Sequence, residues 1–190
     1  MSSAKIDRCF GTGDPLMEAY HDHEWGFPVH DDRELYEHLI LDCFQAGLSW
    51  RTILHKRDNF RKAFERFDPE RVARYGRREI QRLLRDPGIV RNRLKVEAAV
   101  ANARAFLEIA EAVGSFDEYV WSFVGGRALR GPRARAWDQV PASSRESDAL
   151  ARDLKAKGFR FVGATVCYAF MQAVGMVDDH LAGCFRSSSR

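Results

Sequence analysis

Metal-ligand residues occur in two pairs, one near each end of the chain: Cys9 with His21, and His180 with Cys184. Two thiolates and two imidazoles are the ligands of a closed tetrahedral Zn²⁺ site, which leaves no position for water or substrate. Such an ion would join the two ends of the fold without performing chemistry, so we expect the active site elsewhere. The His180 and Cys184 side chains share a face only if their segment is helical. Two buried thiols and two unrelated histidines remain the alternative, because the spacing of Cys9 and His21 is not a common finger spacing.

The length of 190 residues and the hydrophobic content of 45% fit one domain, or two small lobes that share a core. The first ten residues are charged and no long apolar run occurs, so the sequence predicts neither a signal peptide nor a membrane span. The four cysteines therefore suit a cytoplasmic protein better than a disulfide framework. The net charge of +3 is too small to identify a partner.

Apolar residues recur at intervals of three and four along most of the chain, which predicts an all-α fold. Asp31 or Asp32 is expected to cap a helix that ends near Ala46, and Ser49 to cap a helix that runs as far as Phe67. Further helices are predicted from Asp68-Pro69 through Val72, over 78–85, over 91–112, from a Ser143/Glu146 capping box to Gly158, and over 161–174.

One charged residue conflicts with the apolar pattern around it. At 100° per residue, Asp42 falls between Leu35, Leu39 and Ala46 on the apolar face of its helix. A carboxylate in that position has a raised pKa, pairs with a cation, or accepts hydrogen bonds from a molecule that enters a pocket. A structural aspartate bound by backbone amides or by an arginine is the alternative.

The segment 45–50 follows directly and places a glycine turn between two helices. Leu48 is at the tip of this elbow, and Trp50 is in the first turn of the next helix. An apolar side chain at such an elbow can fill a gap in a base stack, and an indole can provide a face for an extruded base. Both side chains can equally be core residues, which is the more frequent fate of tryptophan in a helical domain.

The segment 85–93 is a tight Pro-Gly turn that leads into a helix N-terminus. Its amides, together with Arg91, Arg93 and Lys95, can bind a DNA phosphate without recognising the base sequence. The turn resembles a helix-hairpin-helix motif in which Val90 replaces the usual second glycine, and an ordinary αα-hairpin is the alternative.

A Gly- and Arg-rich connection over 125–137 is predicted to be a mobile loop rather than a linker between domains. Its arginines either contact phosphates or form a solvated surface, and the solvated surface is the commoner case. They are Arg127, Arg130, Arg133 and Arg135, and no aromatic residue occurs among them before Trp137.

The chain resembles the DNA-3-methyladenine glycosylase I family, the constitutive alkylation-repair glycosylases of bacteria. The most specific matches are Tyr-His-Asp-His-Glu-Trp-Gly at 20–26 and Gln-Ala-Gly-Leu-Ser-Trp at 45–50. The other matching segments follow in order along nearly the whole chain: 8–9, 14–16, 64–69, 88–91, 102–105, 121–123, 158–163, 170–173 and 179–180.

The resemblance implies an all-α helix-hairpin-helix glycosylase fold over residues 1–190, with two helical lobes around a base pocket. It implies that Cys9, His21, His180 and Cys184 bind one structural zinc ion that joins the termini. It implies a catalytic role for Asp42 and base-binding roles for Tyr20, Trp50, Trp25 and Met17. The implied DNA-contacting residues are Gln45, Gly47, Leu48, Gly88, Val90, Arg91 and Arg93.

Three departures from the family pattern concern the pocket. Asp42 occupies a position that is commonly Glu, and Met17 one that is frequently Tyr. Phe10-Gly11 replaces a stretch that often contains Trp and is one residue shorter, so we do not transfer the role of that Trp. These changes concern which bases the pocket accepts more than which class of reaction the protein catalyses.

The implied reaction is hydrolytic release of N3-methyladenine from double-stranded alkylated DNA by a monomer, which leaves an abasic site. Release of 3-methylguanine is an open question. Asp42 would accept a hydrogen bond from the exocyclic amine of a flipped base that stacks on Trp50 and Tyr20. No lysine stands out as a nucleophile, so a monofunctional enzyme is expected. The alternatives are a lesion-binding module with weakened catalysis and a zinc-dependent nucleobase hydrolase, although the His-x-Glu and Pro-Cys-x-x-Cys blocks of a deaminase are absent.

Overall fold

The computed structural model describes residues 7–188 and is all-helical, as predicted. Within this range, no strand occurs beyond an isolated bridge between Leu129 and Val177, and no helix is long and apolar enough to cross a bilayer. The α-helices are α1 (Pro15–His23), α2 (Asp32–Gln45), α3 (Trp50–Leu54), α4 (Arg57–Ala63), α5 (Pro69–Ala73), α6 (Arg77–Arg85), α7 (Arg93–Val113), α8 (Phe116–Ser122), α9 (Arg145–Ala156) and α10 (Ala164–Ala173). Short 3-10 turns span Glu65–Phe67, Trp137–Gln139 and Phe185–Ser188.

Local capping signals account for most helix ends. The Asp31 carboxylate accepts hydrogen bonds from the backbone amides of Arg33 and Glu34 and starts α2. Gly47, at φ +79°, follows the end of this helix. Ser49 caps α3, and Asp68 caps α5 ahead of the proline at its first position. These sequence predictions are confirmed.

The single helix predicted from Ser49 to Phe67 is wrong. The chain instead breaks after Leu54 and again after Ala63, and residues 65–67 have φ between 51° and 57°. Tertiary contacts stabilise this unusual backbone, because the Arg33 guanidinium donates to the carbonyls of Glu65 and Arg66 at 3.0 and 2.8 Å. The turn brings the Phe64 and Phe67 rings into a parallel stack with centroids 5.7 Å apart.

Several other predicted boundaries shift. The capping box of α9 is formed by Ser144 and Ser147 rather than by Ser143 and Glu146. The helix predicted over 161–174 begins only at Ala164, because Phe161 has φ 59°. The 180–184 segment is not helical, so His180 and Cys184 do not share a helix face.

Two hydrophobic clusters organise the fold. In the larger one, α7 packs against α2, α5, α6 and α8, while α10 packs against α2 and α9. The smaller cluster unites the two ends of the described chain, and its buried members are Cys9, Tyr20, Trp25, Leu54, Ala173 and Cys184. Trp50 packs against both clusters and therefore lies at their junction.

Lys95 is buried, which contradicts the prediction that it supports phosphate binding. Its Nζ donates to the backbone carbonyls of Phe44 and Ala46, at 2.7 and 2.5 Å, at the end of α2. The positive charge also opposes the negative end of the helix dipole. Burial lowers the pKa of the Lys95 amine. Lys56, between α3 and α4, connects this part of the chain to the hairpin between α6 and α7. Its Nζ donates to the carbonyls of Pro87 and Gly88 at 3.1 and 3.4 Å.

We expect Lys95→Met to lower the free energy of unfolding by about 1–3 kcal/mol, because it leaves two carbonyls at the end of α2 without a donor. The measurement is urea denaturation followed by circular dichroism. Lys155→Met is the matched control, since Lys155 is exposed, and should change stability by less than about 0.5 kcal/mol. Equal effects of the two substitutions would contradict the capping role of Lys95.

Candidate functional site

A cavity of about 160 Å³ lies where α1, α2, α3 and α10 meet the 3-10 turn that contains Trp137. Its lining is mainly aromatic and includes one carboxylate and two glutamines. The lining residues are Phe10, Met17, Tyr20, Trp25, Asp42, Gln45, Trp50, Trp137, Ala169, Gln172 and Ala173. The four residues that the sequence assigned to base binding all line this one cavity, together with Asp42.

Two aromatic pairs form much of the cavity wall. The Tyr20 ring is 5.1 Å from the Trp50 ring between centroids, and the planes are tilted by 42°. Trp25 lies edge-on to Phe10 at 5.2 Å. The indole Nε1 of Trp50 is buried and has no hydrogen-bond partner among the described residues. These rings provide faces on which a planar, positively charged heterocycle can stack.

Asp42 is 4% exposed, as its position on the apolar face of α2 predicted. Its Oδ2 is buried and makes no hydrogen bond to any described residue, so the alternative of a fully satisfied structural aspartate fails for this atom. Burial raises the pKa of the Asp42 carboxyl group well above its usual range. The cavity therefore presents an acceptor that lacks a cation or a donor from the protein.

Gln172 is a polar wall residue that the sequence analysis did not assign to the site. Its Nε2 donates to Asp179 Oδ2 at 2.7 Å, and the Tyr168 hydroxyl donates to the same oxygen at 2.7 Å. This network fixes the side-chain amide of Gln172 at the cavity surface. The available sequence signal was one glutamine within the otherwise apolar segment 161–174.

The elbow after α2 lies beside the cavity. Gln45 lines the cavity, and Leu48 is 43% exposed at the tip of the elbow. A Cβ at Gly47 would meet nothing within 4 Å, so the glycine is required by its φ of +79° and not by close packing.

The hairpin between α6 and α7 is a tight turn closed by Asp86, whose Oδ1 accepts from the Gly88 amide at 2.7 Å. A Cβ at Gly88 would lie 2.9 Å from that oxygen and 3.0 Å from Asn59 Cβ, so packing requires glycine here. Val90 is half-buried and packs against the large core cluster. Arg91 and Arg93 are exposed, and Arg93 is 3.4 Å from Glu97.

A group of metal-ligand atoms lies behind the aromatic wall. Atoms of Cys9, His21 and Cys184 lie within 4.8 Å of one another, and all three residues are buried. The His180 ring is 5.4 Å from the His21 ring between centroids. Its Nε2 is buried and has no hydrogen-bond partner among the described residues. The ends of the chain thus meet in a cluster that can hold a metal ion.

A carboxylate orients each imidazole of this cluster. Asp22 Oδ1 lies 2.8 Å from His21 Nδ1, and Asp178 Oδ1 lies 2.9 Å from His180 Nδ1. The nitrogen on the other side of each ring is then Nε2, the arrangement of metal-binding histidines. His180 Nε2 has no partner among the described residues, whereas His21 Nε2 lies 3.2 Å from the Cys9 amide and 3.4 Å from Cys184 Sγ. Arg8 pairs with Asp22 at 2.7 Å, and Arg133 pairs with Asp178 at 2.9 Å.

The segment 125–137 is anchored to the C-terminal part of the chain. The Leu129 amide donates to the Met176 carbonyl at 2.8 Å, and the Ala182 amide donates to the Ala134 carbonyl at 2.9 Å. Arg133 is neither a phosphate contact nor a solvated charge, because Asp178 and the His180 carbonyl accept its hydrogen bonds. The hydrogen bonds from Arg133 and His180 lower the pKa of Asp178, His180 contributing more.

Comparison with known proteins gives one consistent result. The methyladenine glycosylase family model matches residues 10–187. The chain is 46% identical to DNA-3-methyladenine glycosylase 1 of Escherichia coli over 94% of this chain and 96% of that protein. A crystal structure of 3-methyladenine DNA glycosylase I is 49% identical with a TM-score of 0.91 and covers 94% of this chain and 98% of its own. The Staphylococcus aureus 3-methyladenine DNA glycosylase I, solved to study 3-methyladenine recognition, is 38% identical with a TM-score of 0.91 and covers 96% of both chains.

The stability of the free protein should report the burial of Asp42. Its folded-state pKa is raised above the ordinary value of 3.8, so its contribution to stability is complete below that value and is lost as the pH rises through the folded-state pKa. Asp42→Asn keeps the shape but cannot ionise. We therefore expect the stability of the variant relative to wild type to increase as the pH rises above 3.8.

Urea denaturation at several pH values measures this difference. Asp58→Asn is the control, because the Asp58 side chain is 85% exposed, and its difference from wild type should stay flat with pH. If the stability difference between Asp42→Asn and wild type also does not change with pH, ionisation of the buried carboxyl group costs the folded protein no stability.

Proposed function

The chain belongs to the methyladenine glycosylase family, and we infer that it removes 3-methyladenine from alkylated DNA in base excision repair. One observation carries this function at the level of the site. The buried Asp42 Oδ2 has no hydrogen-bond partner within residues 7–188 and borders the same cavity as the aromatic rings of Tyr20 and Trp50. We propose that the enzyme acts as a monomer on double-stranded DNA.

The chemistry of the substrate matches this cavity. Methylation at N3 gives adenine a positive charge, and the base carries an exocyclic amine that can donate a hydrogen bond. A flipped base that stacks on Trp50 and Tyr20 can donate to Asp42, whose ionised form then gains a cationic partner. Neutral purines offer no such charge, so the pocket favours the alkylated base.

Hydrolysis needs little further assistance from the protein. The cationic base is already an activated leaving group and does not require protonation, so water can attack the sugar carbon as the glycosidic bond breaks. Among residues 7–188, no lysine lines the cavity, and Lys95 and Lys56 are occupied by backbone carbonyls. This arrangement supports a monofunctional glycosylase that leaves an abasic site, because no amine is placed to form a covalent intermediate.

DNA contacts are proposed for the elbow and the hairpin. Leu48 projects from the elbow and can fill the gap that the flipped nucleotide leaves in the base stack. The amides of Val90 and Arg91, just before α7, can bind a phosphate with help from the Arg91 side chain, whereas the Gly88 amide already donates to Asp86. Lys95 joins the end of α2 to α7, so both surfaces are fixed relative to Asp42.

We propose that Cys9, His21, His180 and Cys184 bind one Zn²⁺ ion. The buried unpartnered Nε2 of His180 and the carboxylate on each Nδ1 fit a metal better than two unrelated histidines. A closed set of two thiolates and two imidazoles has no open position, so the ion supplies a structural cross-link between the chain ends.

Release of free base from methylated DNA tests the function directly. Wild type should release 3-methyladenine and leave the strand intact until alkali cleaves the abasic site. Asp42→Asn should slow release by about 10–150-fold, the value of one charge-assisted hydrogen bond. Asp42→Glu, which keeps the charge, is the matched control and should retain most of the activity.

Chromatography of the released bases under single-turnover conditions gives these rates. Tight binding of alkylated DNA by wild type without release would favour the lesion-binding module suggested by the changes at Asp42 and Met17. Equal rates for Asp42→Asn and wild type would refute the proposed role of the carboxylate.

Metal content tests the zinc proposal independently of catalysis. Elemental analysis should find about one zinc ion per chain, and Cys184→Ser should lose it and unfold at a lower temperature. Cys167→Ser is the control, because Cys167 is a buried thiol outside the cluster and should leave the zinc content unchanged. Equal zinc content in Cys184→Ser and wild type would exclude Cys184 as a ligand.

A further inference from the structure

Trp137 belongs to the cavity, although it lies far along the chain from the other aromatic wall residues. It begins the 3-10 turn Trp137–Gln139 at the end of the Arg-rich segment, for which the sequence analysis predicted no role in the pocket. The side chain lines the cavity and is 42% exposed. An indole that is partly exposed at a cavity mouth offers apolar surface that a ligand can cover.

The indole extends the existing aromatic wall. Its ring centroid is 6.1 Å from that of Trp25 and 6.2 Å from that of Phe10, with interplanar angles of 59° and 44°. Neither ring is parallel to the indole, so neither of these two neighbours covers its face by stacking. Because tryptophan is the aromatic side chain that best attracts a cation over its face, this wall is suited to a positively charged ring.

The position of Trp137 is fixed before any ligand binds. Its Nε1 donates to the Cys9 carbonyl at 2.8 Å, which attaches the indole to the metal-ligand cluster. Nearby, the Arg135 amide donates to Gln139 Oε1 at 2.9 Å, and the Ala182 amide holds the Ala134 carbonyl. An aromatic side chain held in this way loses little conformational entropy when it contacts a ligand.

We propose that Trp137 is a specificity-determining residue of the base pocket, which supplies a further aromatic face for the cationic N-alkylated purine. The proposal rests on the glycosylase function given above and adds a contact from outside the helices that carry Asp42, Tyr20 and Trp50. The hydrogen bond to Cys9 sets the indole in place, and the ring face makes the contact.

Calorimetric titration with free 3-methyladenine and with adenine tests this contact. Trp137→Ala should weaken binding of 3-methyladenine by about 5–100-fold, the range for one stacking contact, and should weaken binding of adenine less. Trp137→Phe keeps an aromatic face and loses the hydrogen bond to Cys9, so it should retain more affinity than Trp137→Ala. In base-release kinetics the effect of Trp137→Ala should be larger on KM than on kcat.

Phe185→Ala is the matched control, because Phe185 is 41% exposed and contacts His21 without lining the cavity. It should keep wild-type affinity for 3-methyladenine. The zinc content and the unfolding midpoint of each variant separate a contact with the base from a purely structural effect. If Trp137→Ala is unstable, Trp137→Leu replaces it in the binding test, because leucine fills the space without providing an aromatic face.

Wild-type affinity for 3-methyladenine in Trp137→Ala, or in a folded Trp137→Leu, would overturn the proposal while leaving the glycosylase function intact. A loss of the same size for adenine would show that the indole does not discriminate between the methylated and the unmodified base. Contact with the cation itself is read from KM on methylated DNA, because the base becomes neutral when the glycosidic bond breaks. Failure of the wild-type protein to release or bind 3-methyladenine would instead overturn the proposed function itself.

Discussion

The burial of Asp42 without a partner is the constraint on which the site depends. An ionised carboxylate in an apolar cavity is costly, so the free protein tends to keep the group protonated, and its pKa is raised. A cationic base removes that cost by supplying both a charge and a donor, which a neutral purine cannot do. On the proposed mechanism, selectivity would arise from an unfavourable state of the empty pocket as much as from attraction to the damaged base.

The same region of α2 links this acid to the surfaces proposed to meet DNA. Lys95 neutralises the end of the helix and fixes Phe44 and Ala46, about half a turn and one turn from Asp42. Beyond Gly47, the Ser49 cap places Trp50 at the junction of the two hydrophobic clusters. A shift of the elbow would move the Trp50 ring and the Asp42 carboxyl group together. The proposed contact with the gap in the base stack and the proposed contact with the flipped base therefore depend on the same rigid segment.

Features set by short-range chemistry could be predicted from the sequence. Capping by Asp31, Ser49 and Asp68 depends on a few neighbouring residues, and the inward orientation of Asp42 follows from helical periodicity. Contacts between distant segments could not be predicted in this way. The positive φ of residues 65–67 depends on Arg33, and the burial of Lys95 depends on the end of α2. Trp137 reaches the pocket only because the chain ends meet.

The meeting of the chain ends also explains why a structural metal cluster would lie beside a base pocket. The His180 ring packs edge-on against Trp25 at 4.6 Å, and a Cβ at Gly26 would lie 2.8 Å from His180 Cε1. On the other side, the backbone of Cys9 holds the Trp137 indole. Two walls of the cavity thus rest directly on residues of the cluster. Short terminal segments contribute few apolar contacts of their own. A metal cross-link at this point would therefore stabilise the orientation of the aromatic walls more than it would add to the hydrophobic core.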